Sequence, residues 1–67
     1  MHIAILCFEG FNELDSLIAF GLLNRVKQPG WRVSIASNAA RIRSMNGLVI
    51  EPQATLAEAN TADAVLI

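Results

Sequence analysis

Four side chains near the start of this sequence invite a chemical reading: His2, Cys7, Glu9 and Asp15. Asp15 is the most telling. At 100° per residue it falls between Leu22 and Val26, in the middle of an apolar helical stripe that also takes in Leu14, Ile18, Ala19 and Leu23. An ionised carboxylate on a buried face is costly without partners, and burial works against the charged form. A carboxyl held this way at the mouth of a sheet can exchange protons near neutral pH, which makes Asp15 the candidate catalytic acid. A second reading stands beside it. At the third helical position an acid favours the helix dipole by about 0.3–1 kcal/mol. It could also bond back to the Asn12 amide as a shortened capping box.

The other three carry less. Glu9 and Gly10 follow the first apolar run and are candidate walls of a ligand pocket. Glu9 reads more simply as a solvated loop acid, and Gly10 as a residue that frees a tight turn. Cys7 lies inside the first run, with no basic neighbour to favour a thiolate, and reads as a small core hydrophobe. His2 has no second histidine or cysteine at metal spacing, so neither a metal nor a cofactor is expected.

The elements that must position Asp15 follow from the pattern. Ile3 to Phe8 is an apolar run without alternation, suited to a parallel strand covered on both faces. Asn12 offers a cap for a helix from Glu13 to about Lys27, which Gln28-Pro29-Gly30 ends. Trp31 to Ser37 reads as a second strand, with Trp31, Val33 and Ile35 on one side. Strand, helix and strand with short joins make a right-handed βαβ unit. Arg41 to Pro52 looks like a hairpin turning at Asn46-Gly47, where both residues tolerate positive φ. Thr55 begins one or two helical turns over Leu56–Ala59, and Ala62 to Ile67 is a last strand. The fold class is therefore α/β, the N-terminal part of a flavodoxin-like doubly wound parallel sheet. With one long helix to cover Ile3–Phe8, a further layer is expected from more chain or a partner. Residues 1–67 read as an incomplete single domain, predicted inactive by itself. In such sheets ligands bind outside the carboxyl ends of the strands, where Glu9, Gly10 and the first helical turn lie.

Phe20 falls beside Ser16 and Asn24 on the polar side of the wheel. With Leu17 it makes a candidate self-association patch. Composition narrows the partners. Of the 67 residues 54% are hydrophobic and 16% charged, with net charge −1 and no basic stripe, so direct nucleic-acid contact by this segment is not expected. A single cysteine fits a reducing, cytoplasmic setting. No signal peptide or membrane span is expected. Neither a Gly-x-Gly-x-x-Gly nor a Walker pattern follows the first strand, and the acidic pair of a response-regulator receiver is also missing.

The stretch Ile3-Ala4-Ile5-Leu6-Cys7-Phe8-Glu9-Gly10-Phe11, then Glu13-Leu14-Asp15, resembles the opening of the ThiJ/PfpI superfamily, which shares the class I glutamine amidotransferase-like fold. The likeness continues through Arg43–Ile50, Leu56 and Ala62–Ile67. The resemblance implies that Asp15 matches the family's acid in the first helix, facing a cysteine nucleophile further along the chain. The Leu-Asp pair is similar to that of isonitrile hydratases, lyases that hydrate an isonitrile to an N-substituted formamide. It is similar also to the ligand-sensing domain of AraC-type transcription regulators. The resemblance thus implies a cysteine-dependent hydratase or hydrolase acting on a small molecule, or else a non-catalytic sensor, in either case commonly a homodimer. Two features depart from the Leu-Asp subgroup: Glu9-Gly10 stands where many members have Pro-Gly, and Phe20-Gly21-Leu22-Leu23 replaces a Gly-Pro followed by Glu. Both alter the pocket wall.

Overall fold

A computed structural model describes all 67 residues. Its centre is strand β1 (His2–Leu6), paired in parallel with β2 (Arg32–Ser37) on one side and β6 (Ala64–Leu66) on the other. A short strand β5 (Ala54–Thr55) adds to the far edge of β2, so the four parallel strands run β5-β2-β1-β6. Gln53 prepares that pairing. Its backbone N–H donates to the Ile35 carbonyl and its side-chain carbonyl accepts from the Ile35 N–H, both at 2.9 Å. At the start of β6, Asp63 exchanges two bonds with the His2 backbone, N to O at 2.8 Å and N to Oδ2 at 2.7 Å, which sets the register. The small parallel α/β sheet predicted from the apolar runs is thus present.

Alternation along β1 and β2 sorts the core into two layers, because successive side chains point to opposite faces. Ile3, Ile5, Cys7, Val33 and Ile35 lie on one face with Phe11 and Ile42, under helix α1 (Glu13–Leu23). Ala4, Ala36, Ala54 and Ala59 form the other layer, under helix α2 (Leu56–Ala59). The expectation that one face of the first strand lacks a cover is therefore corrected: α2 packs on it, because alanines leave a four-residue helix room to come close. The exposed surface is instead β6, where Ala64, Val65 and Leu66 are all exposed.

The helices begin where their caps dictate. Asn12 Oδ1 accepts from the Leu14 N–H at 3.0 Å. At α2, Thr55 and Glu58 form a full capping box: Thr55 Oγ1 accepts from Glu58 N (3.1 Å) and Glu58 Oε1 from Thr55 N (2.9 Å). The ends fall short of the sequence expectation. α1 stops at Leu23 rather than Lys27, because the Trp31 indole donates to the Leu23 carbonyl and the Lys27 ammonium to the Asn24 carbonyl, both at 2.9 Å. Those side chains satisfy carbonyls that another helical turn would have used.

The rotation of α1 is also corrected. Leu17, Ala19, Phe20 and Leu23 pack on the large-residue face of the sheet. Leu14, Ile18 and Leu22, placed inward by the wheel, are 66%, 53% and 59% exposed. Leu17 and Phe20 are therefore not a free association patch. The wheel fails here because α1 is apolar on almost every side, so periodicity offers two competing stripes.

The hairpin forms as predicted, with β3 (Ile42–Arg43) antiparallel to β4 (Val49–Ile50). Its turn is different. Of Asn46 and Gly47 only Gly47 has positive φ, at 93°. The Gly47 N–H bonds to the Ser44 carbonyl (3.0 Å) and the Ser44 N–H to the Leu48 carbonyl (2.8 Å). This is a three-residue loop with glycine in the left-handed position, rather than a two-residue turn.

Candidate functional site

The loop from β1 to α1 builds the rim at the carboxyl end of the sheet. Gly10, with φ of 83°, turns the chain sharply where a side chain would be strained. A cleft of ≈ 280 Å³ opens here between the loop, the first turn of α1 and Ile67 at the end of β6. Phe8, Glu9, Gly10, Asp15 and Ser16 line it. The three residues singled out from sequence as catalytic or pocket-forming, Asp15, Glu9 and Gly10, thus meet in one place.

Their environments differ from expectation. Asp15 is exposed, not tucked beneath the helix, because the Leu17–Phe20 stripe is the one seated on the sheet. It forms no capping box: the Asn12 side chain serves Leu14, and no hydrogen bond involves the Asp15 carboxylate. That carboxylate is free to bond a ligand, but the burial expected to work against its charged form is absent. Glu9 is committed. Its Oε1 accepts from the Arg43 N–H at 3.0 Å, and the Gly10 N–H donates to the Arg43 carbonyl at 2.7 Å. Glu9 therefore shapes the wall through the hairpin, and this bond could not be read from the sequence because it joins residues 34 positions apart.

Cys7 stands at the floor of this cleft but is 1% exposed, held in the core beneath α1. A thiol so enclosed does not meet a ligand in the cleft. The cleft as formed by these residues can bind and orient a ligand, with the Asp15 carboxylate and the half-exposed Ser16 hydroxyl among its walls.

A larger groove of ≈ 540 Å³ lies at the ends of β2 and β5, between Ser37, Asn38, Pro52, Gln53 and Thr55. Several of its polar atoms are already in use: Gln53 Oε1 pairs with Ile35, Ser37 Oγ with Asn38 Oδ1, and Thr55 with Glu58. The smaller cleft is the better site for chemistry because its acid is unspent.

One network escaped the sequence reading. His2 Nδ1 accepts from the Arg32 guanidinium at 3.1 Å, since arginine can only donate. Nε2 then carries the proton and donates to the buried Ser34 Oγ at 2.6 Å. Only the strand register, which sets His2 against Arg32, brings these groups together. No three His, Cys, Asp or Glu side chains converge as a metal site, and no helix is long and apolar enough to cross a membrane. Compared with known protein families and with curated proteins, the chain matches none.

Proposed function

We propose that this chain contributes the acidic side of a ThiJ/PfpI-type pocket that hydrates or hydrolyses a small molecule, in the manner of isonitrile hydratases, with Asp15 as proton donor and acceptor. The observation that carries the reading is the unbonded Asp15 carboxylate at the carboxyl edge of a parallel sheet, in a cleft walled by the β1–α1 loop. Parallel sheets place their ligands at that edge. The strand sequence β2-β1-β6 supports reading the sheet as the opening of a flavodoxin-like doubly wound fold. The resemblance puts the cysteine nucleophile outside residues 1–67, and the buried Cys7 does not stand in for it. On this reading the protein is cytoplasmic, and a homodimer would use surfaces other than Leu17 and Phe20.

Isonitrile hydration adds one water across the N≡C bond, the carbon gaining the oxygen and one hydrogen and the nitrogen the other, to give an N-substituted formamide; it needs a group that delivers a proton to the carbon. The test is turnover of a simple alkyl isonitrile by the full-length protein, followed by loss of the isonitrile stretch. Asp15→Asn should abolish turnover while leaving thermal stability unchanged or raised. If turnover persists and stability falls by about 1 kcal/mol, Asp15 is a helix-terminal residue and the reading fails. Ligand binding without turnover in the parent protein would favour the sensing domain of an AraC-type regulator.

A further inference from the structure

Ser44 is 4% exposed on a hairpin tip whose neighbours Met45, Asn46 and Gly47 are exposed. Its hydroxyl donates to Glu13 Oε1 at 2.5 Å and accepts from the N–H groups of Leu48 (2.9 Å) and Asn46 (3.3 Å). The Met45 N–H donates to the Phe11 carbonyl at 2.9 Å, and the Glu9 and Gly10 bonds to Arg43 continue the seam. Residues 9–13 are in this way stitched along residues 43–45. The Ser44–Glu13 bond is the side-chain link between the hairpin and α1.

We infer that Ser44 and Glu13 are positioning residues for Asp15, which rests on the reading of Asp15 as the working acid. The Asn12 cap fixes where α1 starts along its axis but leaves its roll about that axis unset. An off-axis bond from the first helical turn to a buried hydroxyl sets the roll. The bond has something to decide, because α1 carries two apolar stripes, Leu17–Phe20–Leu23 and Leu14–Ile18–Leu22. Packing alone discriminates weakly between stripes of similar size. Glu13, Leu17 and Phe20 follow one another at helical spacing of four and three, so the residue that Ser44 holds belongs to the seated stripe. Asp15 lies about 200° round the helix from Glu13. A roll of one residue's arc would seat Ile18 in place of Leu17 and carry Asp15 away from the Phe8–Gly10 wall.

The test uses the full-length protein and four variants. Ser44→Ala and Glu13→Ala should lower kcat by about 10- to 100-fold with KM little changed, the usual cost of a displaced catalytic group. Nuclear Overhauser contacts from Leu17 methyls to the buried Ile and Val methyls of the sheet should weaken, with contacts from Ile18 replacing them. Glu13→Gln, which keeps an acceptor oxygen for Ser44, should restore both kcat and the Leu17 contacts. Unchanged contacts in both alanine variants would overturn the inference. So would full kcat in Ser44→Ala and Glu13→Ala while Asp15→Asn is inactive, a result that leaves the role of Asp15 standing. Full turnover by Asp15→Asn would instead remove the reading itself, and this role for Ser44 with it.

Discussion

The two faces of the sheet are equally dry but are built by opposite means. Beneath α1 the layer is made of Ile3, Ile5, Val33 and Ile35, large β-branched side chains that fill the gap to an 11-residue helix. Beneath α2 the layer is Ala4, Ala36 and Ala54, and the helix is four residues long. Ala4 and Ala36 are wholly buried, so burial alone does not distinguish the faces. What differs is how much apolar area each residue removes from water, since burying a whole Ile side chain contributes about 1.5–3 kcal/mol and a single methylene about 0.8. The large-residue face carries the stabilisation. The alanine face sets geometry: it lets α2 lie close and thereby places Thr55, Asp63 and the start of β6.

If that division is right, the two faces respond oppositely to changes of volume. Ile35→Ala should cost about 2–5 kcal/mol, measured by urea unfolding, because it opens a cavity under α1. Ala36→Leu adds volume where none is free and should cost about 1–3 kcal/mol by pushing α2 from the sheet. An Ala36→Leu variant as stable as the parent would show that α2 yields easily, and would break the comparison. In Ala36→Leu the amide-exchange protection of Asn60 and Thr61, which close the turn after α2, should fall with it.

Smaller effects sharpen the account of α2. With so little area beneath it, the helix depends on its capping box, and Thr55→Ala should cost about 1 kcal/mol. The same box gives a pH dependence. The Thr55 backbone N–H bonded to the Glu58 carboxyl, then the Thr55 hydroxyl beside that carboxyl, hold it below its ordinary value of 4.5, with Arg32 and His2 adding attraction. A lowered folded value means that the contribution is complete above the ordinary value and is lost as pH falls through the folded one. The stability difference between the parent and Glu58→Gln should therefore be constant near neutrality and shrink only below about pH 4.5. A difference that disappears between pH 7 and 5 would show that the Glu58 carboxyl is not its source.

These contrasts also explain what could be read in advance. The unbroken apolar run Ile3–Phe8 announced a strand covered on both faces, and both covers exist. Local capping chemistry at Asn12 and Thr55 was legible because its partners lie two or three residues away. The partners of Glu9, Ser44 and His2 lie 34, 31 and 32 residues off, and no periodicity encodes them. Gathering Glu9, Gly10 and Asp15 at one rim followed from the βα order alone. The exposure of Asp15 did not, because it hangs on the roll of α1.

That roll yields the smallest effect and the most discriminating one. The wheel had Leu14 and Leu22 in the core, whereas the structure has them at the surface beside Asp15. Surface substitutions outside special features usually change stability by no more than about 0.5 kcal/mol. Leu14→Gln and Leu22→Gln should therefore unfold at nearly the parent urea midpoint, and a loss above about 1 kcal/mol in either would mean that the helix seats its other stripe. The pair is useful because the two rolls disagree about it in sign of burial rather than degree. In the observed roll Asp15 and both leucines are exposed; in the alternative the leucines would turn onto the sheet and carry the acid toward it, where an ionised carboxylate is costly without a partner.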